Sequence, residues 1–411
     1  MFRILILLKC FYFSSFALAN SDIAIEGLRR TDPSVIYTEL ALCNCLDRTD
    51  DVEQVVLATG LFYDVQTTSE NGRVNAIKLK EKWTTIPILK FNSGGGVLQT
   101  TVGVYDPNVW GRRIELGTQY ESLAGAPSVV FWNKIPRWFE SRFFTDLQIW
   151  KTQRTRLKYD PTTNDPVLIK ALLQKSNRNY VALGYELNSL LKTRVGFETQ
   201  TDSFSTDRIP TETLNQVSGQ TVPSETEVHL LSGQIDYGKL KIERHSPIGL
   251  LTSVNYKLGF EQSNNQSRFE SLRFESSYFK LTDDFLFAGR FQLGSTNTEL
   301  IQYWNYLGGF ESIRGFVDNR FATKKFWLLN LESRYYLLEK EKYVIQSSSF
   351  LDLIGLDEQK NELQNAHAAS FGIGARIILP YFYRLTIRFD YAVPIIKKDN
   401  QNFSFGVQQF F

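Results

Sequence analysis

The chain is poor in the residues that build metal centres and disulfide frameworks. Its 411 residues include three cysteines, three histidines and one methionine, and no Cys/His group has the spacing of a metal site. Cys43 and Cys45 lie two positions apart, a separation that reads as two small buried thiols rather than a mutual disulfide. His229, His245 and His367 have no partner pattern for nucleophilic catalysis, and neither a nucleophile elbow nor a phosphate-binding loop is present. No enzyme activity, cofactor or metal is therefore expected. Beyond the first nineteen residues no run of 18 apolar residues occurs, which excludes a helical membrane span. Charge is balanced as well. Once Arg3 and Lys9 leave with the leader, 44 basic residues face 44 acidic ones, so nothing points to nucleic acid as a partner.

What the chain does have is a leader, many aromatics and a long alternating pattern. Met1 to Ala19 carries Arg3, an apolar run from Ile4 to Leu8 and from Cys10 to Phe13, then Ala17-Leu18-Ala19. That order reads as a signal peptide cleaved before Asn20. Residues 20–87 read as one small mixed domain. A strand at Ile23–Gly27 precedes a helix over Pro33–Ala41, capped by Asp32 with proline at its first position. A second helix spans Asp51–Thr59 and breaks at Gly60. Two further strands follow, around Phe62–Val65 and Val74–Leu79, joined by a turn at Glu70-Asn71-Gly72.

From Ile88 to Phe411 segments of about ten residues alternate apolar and polar positions. Leu250, Thr252, Val254, Tyr256, Leu258 and Phe260 share one face, whereas Ser253, Asn255, Lys257 and Glu261 share the other. Leu385, Ile387, Phe389 and Tyr391 alternate in the same way with Arg384, Thr386, Arg388 and Asp390. One face suits lipid and the other water. Because an open edge in lipid would leave backbone groups unpaired, such a sheet has to close. Sixteen elements are expected, at about 88–98, 111–121, 128–134, 140–157, 167–176, 179–188, 191–200, 226–243, 247–261, 268–281, 283–294, 324–337, 343–355, 366–379, 382–394 and 402–411. The long stretches 201–225, 295–323 and 356–365 all follow odd-numbered elements, and the short joins at Pro247-Ile248, Thr282-Asp283 and Pro380-Tyr381 follow even ones. Long loops outside and short turns inside are the membrane-barrel arrangement.

The segment Leu307-Gly308-Gly309-Phe310-Glu311-Ser312-Ile313-Arg314-Gly315-Phe316 resembles the sixth-loop signature of the BamA/TamA superfamily of outer-membrane assembly and translocation barrels. Asp106–Arg112 resembles that family's Asn-Leu-Leu-Gly segment, and Asn330–Tyr335, Phe350–Gly355 and Arg388–Pro394 resemble its twelfth, thirteenth and penultimate strands. Leu57–Val65 resembles part of a polypeptide-transport-associated (POTRA) domain. The fold implied is mainly β: a 16-stranded antiparallel transmembrane β-barrel at 88–411, preceded by one small α/β POTRA-like domain at 20–87. The loop at about 295–323 would fold inward with Ile313, Arg314, Gly315 and Phe316 at its tip. Arginine presents five donors and stays charged, so Arg314 needs fixed acceptors. Asp352 is expected first, with Glu332 contributing. Gly315 would be required at the crowded tip, whereas loop flexibility suffices for Gly308 and Gly309.

The resemblance further implies a weak seam between the first and last strands, with Gly94, Gly95 and Gly96 in the first and Phe403, Phe405, Val407 and Phe411 on one face of the last. Function would then be insertion or translocation of polypeptides, by strand capture on the front domain and lateral opening of the barrel. Expected partners are unfolded outer-membrane or secreted polypeptides and outer-membrane lipids, with periplasmic or lipoprotein accessory factors left open. Localisation would be a bacterial-type outer membrane, with the front domain in the periplasm. A passive channel or a surface-binding barrel is the alternative.

Overall fold

A computed structural model describes residues 23–411 except 95–96, 124, 161–162, 218, 263–266, 310–311, 358–367, 383–384, 400–402 and 408–411. The expected leader, Gly95, Gly96, His367 and Phe411 lie outside the described residues.

The N-terminal α/β region runs β1 (Ala24–Glu26), α1 (Pro33–Cys43), α2 (Thr49–Ala58), β2 (Phe62–Glu70) and β3 (Arg73–Glu81), with sheet order β1-β3-β2. Asp32 caps α1 by accepting from the Ser34 amide at 2.9 Å, with Pro33 opening the helix. Ile36, Leu40, Val52, Val56, Leu61, Phe62 and Ile77 form its buried core. Cys43 and Cys45 are joined by a disulfide, contrary to the expectation of two free thiols. Asn44 between them adopts a left-handed conformation at the end of α1. That turn leaves the two Cα atoms 5.2 Å apart, inside the span a disulfide bridges.

The rest is one 16-stranded antiparallel sheet. Its strands are β4 (Ile86–Gly94), β5 (Val97–Val109), β6 (Ile114–Leu123), β7 (Ala126–Ile135), β8 (Phe143–Tyr159), β9 (Leu168–Glu186), β10 (Leu191–Ser205), β11 (Thr226–Glu243), β12 (Ser246–Glu261), β13 (Arg268–Thr282) and β14 (Phe285–Thr296). After a crossing loop that holds the short pair β15 (Asn305–Leu307) and β16 (Phe321–Thr323), the sheet resumes with β17 (Lys325–Lys340), β18 (Tyr343–Asp357), β19 (Ala368–Ile378), β20 (Thr386–Ile396) and β21 (Phe403–Val407). The end strands β4 and β21 come within 8 Å of each other, Cα to Cα, which brings the sheet round into a barrel.

The expected total of sixteen stands, although two differences offset each other. Residues 88–98 are not one strand: β4 ends at Gly94 and β5 begins at Val97, with Gly94 opposite Val97. Gly94 is thus the last residue of β4 rather than the middle of a strand running on to 98. Conversely, 167–176 and 179–188 belong to the single strand β9, which pairs without interruption with β10. Neither Lys175 nor Ser176, Asn177 or Arg178 breaks a strand whose alternate positions face water.

Outward positions carry the expected belt, with Leu183, Val195, Leu331, Ile373, Phe389 and Tyr391 exposed, while their neighbours face the lumen. The N-terminal region sits at the short-turn end. The Asp32 amide donates to the Gly111 carbonyl at 2.9 Å, and Asn108 Nδ2 donates to Thr31 Oγ1 at 2.9 Å. At the same end, the Tyr63 ring lies 4.9 Å from Tyr381.

Glu39 is the electrostatic pin of this docking. Its carboxylate accepts from Arg137 Nε at 2.8 Å and Nη2 at 3.1 Å, and pairs with Arg113. Burial alone would raise its pKa, but Arg113 and Arg137 outweigh burial and hold the carboxyl below its usual value. A depressed carboxyl contributes its stabilisation fully above its ordinary pKa and loses it as pH falls through the lowered one. Glu39→Gln should speed proteolysis or amide exchange of α1 at pH 7. In the unsubstituted chain the same loosening should develop only on acidification below the usual carboxylate range. Equal exchange in both proteins across that range would contradict the assignment.

Candidate functional site

The crossing loop between β14 and β17 returns into the barrel. Its base is the β15/β16 pair, and its tip is closed by the Gly309 amide donating to the Phe316 carbonyl at 3.0 Å. Ser312 Oγ tightens the bend, accepting from the Gly308 amide at 2.6 Å and donating to the Gly308 carbonyl at 2.9 Å. Ile313 and Phe316 are buried and pack with Leu307, Phe321, Phe326, Leu328 and Ile354. This small apolar cluster opposes the withdrawal of the tip into water.

Arg314 lies beside this cluster with a fully buried side chain. Its backbone amide donates to Asp352 Oδ2 at 3.0 Å, Nε to the same oxygen at 2.8 Å, and Nη2 to Asp352 Oδ1 at 2.9 Å. Nη1 donates to Glu332 Oε2 at 2.8 Å. Asp352 thus receives a two-pronged guanidinium plus a main-chain donor, an arrangement lysine could not reproduce. The guanidinium carbon also stands 3.4 Å from the Phe350 ring centroid.

The network is larger than the sequence reading anticipated. Glu332 Oε1 accepts from Arg334 Nε at 2.7 Å and from Arg376 Nη2 at 2.9 Å, and Arg376 Nη1 forms a 2.7 Å ion pair with Asp390. Asn330 Nδ2 donates to Asp352 Oδ1 and to the Ser312 carbonyl, both at 2.8 Å. Asn330 Oδ1 in turn accepts from Arg290 at 2.9 and 2.8 Å. Strands β14, β17, β18, β19 and β20 are thereby tied to one loop residue. Alternation places Arg388 and Asp390 on an inner face. The same two-residue step from Gly372 through Gly374 reaches Arg376, and from Glu332 reaches Arg334. Parity gives the face, but not which charges meet across it.

Two glycines are required here. Gly315 has φ 88°, and a Cβ on it would stand 3.2 Å from Ala392 Cβ and 3.4 Å from Pro394 Cδ. Gly308 has φ 139°, and a Cβ there would lie 2.2 Å from the Val317 carbonyl oxygen. Flexibility is therefore not a sufficient account of Gly308, whose backbone meets the returning chain directly.

At the seam, Phe403 and Phe405 of β21 lie opposite Tyr391 and Phe389 of β20, and Val407 lies opposite Ile387. The Phe389 and Phe405 rings are 5.1 Å apart. Among the described residues β21 pairs with β20 over Ile387–Tyr391, and no hydrogen-bonded register joins β21 to β4.

Removing one partner of a buried ion pair leaves uncompensated charge and costs roughly 3–5 kcal/mol. Arg314→Ala should therefore lower the thermal transition of the folded barrel and open residues 312–320 to protease. Asp352→Asn should do so less, because Glu332 still holds Nη1. Unchanged heat-modifiable gel mobility and unchanged loop protection in Arg314→Ala would refute the tether.

A family model for the Omp85 superfamily domain matches residues 111–411. Among solved structures, the chain is similar to BamA from Haemophilus ducreyi lacking POTRA domains 1–3. Identity is 16% and the TM-score 0.55, over 94% of this chain and 82% of that one. It is also similar to CdiB from Acinetobacter baumannii, at 13% identity and TM-score 0.57 over 94% and 72% of the two chains. CdiB from Escherichia coli gives 12% identity and TM-score 0.57 over 93% and 75%. No curated protein sequence matches. With a family model covering most of its length and a 16-stranded barrel of the same fold, the chain belongs to the Omp85 superfamily of outer-membrane barrels.

Proposed function

We propose that the chain inserts polypeptides into the outer membrane or passes them across it, with the contact between β4 and β21 as the working seam. The observation that carries this reading is the meeting of the two ends of the sheet, β4 and β21. They lie beside each other without a hydrogen-bonded register among the described residues. In hydrocarbon a strand edge is tolerable only when its backbone groups are paired. A seam that parts easily is therefore stabilised open by an incoming strand, which supplies the missing hydrogen bonds whatever its sequence.

The N-terminal α/β region serves in this proposal as a periplasmic POTRA-like domain. β2 is nine residues long and stands at one edge of its sheet, so a client strand can add there before reaching the barrel. The Arg314 network, on the wall that includes β17 to β20, keeps that wall fixed while the seam moves. Outer-membrane lipids contact the exposed apolar belt. Periplasmic or lipoprotein accessory factors would dock on the N-terminal region.

The test is a reducible lock. Paired cysteines placed on β4 and β21 should, when oxidised, abolish insertion of unfolded outer-membrane clients into liposomes by the reconstituted chain, and reduction should restore it. Full insertion by the locked protein would reject lateral opening. Small-solute leakage without any acceleration of client insertion would favour a passive channel.

A further inference from the structure

Another buried arginine of the crossing loop, outside the sixth-loop motif, sits where the inward loop meets the approach to the last strand. Arg320 is fully buried. Its Nη1 donates to the Asp160 carbonyl at 3.3 Å, and Nη2 donates to the carbonyls of Thr163 and Asp165 at 3.4 and 3.1 Å. These carbonyls belong to the connection between β8 and β9. Nε faces Asp399 Oδ2 at 4.0 Å, and Asp399 also accepts from the Val317 amide at 3.0 Å. The segment before β21 is fastened to the same connection a second way. The Lys398 amide donates to the Asn164 carbonyl at 3.0 Å, and Lys397 Nζ donates to the Thr163 carbonyl at 3.2 Å.

Three separate parts of the chain thus converge at the long-loop end of the barrel: the crossing loop at 317–320, the β8–β9 connection at Asp160 and 163–165, and the β20–β21 connection at 397–399. Only the last leads into the seam. Lys397, Lys398 and Asp399 lie four to six residues before Phe403, and their contacts fix the chain that leads into β21. A guanidinium can satisfy several acceptors at once in fixed directions, and here its acceptors lie on chain segments far apart in sequence.

We infer that Arg320 is a positioning residue for the seam: with Asp399 and the carbonyls of Asp160, Thr163 and Asp165 it clasps the chain leading into β21 to the inward loop, so that displacing the loop and freeing β21 are one event. This rests on the reading of β4 and β21 as the working seam, and deepens it by naming what holds the seam shut. Val317 is three residues from Arg314, so a loop that withdraws carries away a donor to Asp399. Arg320 itself moves with it.

The test needs no client, so its outcome is independent of whether the locked seam blocks insertion. Hydrogen exchange would be followed in the full chain in lipid nanodiscs for Arg320→Met, Arg320→Lys and Asp399→Asn. Charged hydrogen bonds of this kind contribute enough that Arg320→Met should speed exchange across 403–407 by roughly tenfold. Lysine should recover part of the protection. Asp399→Asn should also speed exchange at 403–407, while the centres of β8 and β9 and the segment around Asp352 stay unchanged. If only the 160–165 connection loosens and 403–407 exchanges at the original rate in Arg320→Met and Asp399→Asn, Arg320 merely packs the outer loops and the clasp is wrong. Should Arg320→Met fail to fold, Asp399→Asn decides alone, since it preserves side-chain volume and leaves the carbonyl contacts of Arg320 in place.

Discussion

A guanidinium buried inside a barrel cannot shed its charge, and the rest of the structure is arranged around that fact. Arg314 reaches Asp352 and Glu332 only if its loop leaves the water outside and folds down along the inner wall. The acceptors must in turn be held by their own partners, and Arg334, Arg376, Asn330 and Arg290 do this from the neighbouring strands. One side of the barrel is thereby cross-linked by side chains as well as by backbone ladders. Since a half-satisfied buried network is costlier than none, the loop and the wall are expected to hold or fail together.

The opposite constraint acts at the ends of the sheet. Lipid demands that every strand edge be paired, and β21 stands beside β4 without a hydrogen-bonded register among the described residues. Side-chain fastening among those residues is dense through β17, β18, β19 and β20. The N-terminal region adds a further asymmetry, since it is seated on the short turns through Glu39, Asp32 and Tyr63. The long-loop end is gathered around Arg320.

Much of this was legible in the sequence, for identifiable reasons. Alternation with period two gave the inner and outer faces of β12 and β20 residue by residue, and the parity of long and short connections gave the ends of the barrel. Asp32-Pro33 marked the start of α1 through ordinary capping chemistry. Strand limits were less accessible. Polar residues from Lys175 to Arg178 looked like a break because a lumen-facing strand has no apolar inner face to contrast with a turn, and the end of β4 at Gly94 left no signal beyond the glycine itself. The Cys43–Cys45 disulfide depends on the left-handed Asn44, a conformation that residue type permits but does not announce. Within the site, the Arg314-Gly315-Phe316 tip and its two carboxylates could be read from the resemblance and from parity. Arg334 and Arg376 were on the predictable face, but their meeting at Glu332 is set by register. Arg320 had no sequence signal at all, since its acceptors are backbone carbonyls roughly 160 residues away.

The claim on which everything else turns is that the barrel is rigid along the Arg314 wall and weak at the β4–β21 seam. Residue-resolved native-state hydrogen exchange on the unsubstituted chain in a lipid bilayer measures this directly. The account predicts the slowest amides in β17, β18 and β19 around Glu332 and Asp352, and the fastest strand amides in β21 and the facing part of β4. Protection that is uniform around the ring, or greatest at β21, would contradict it.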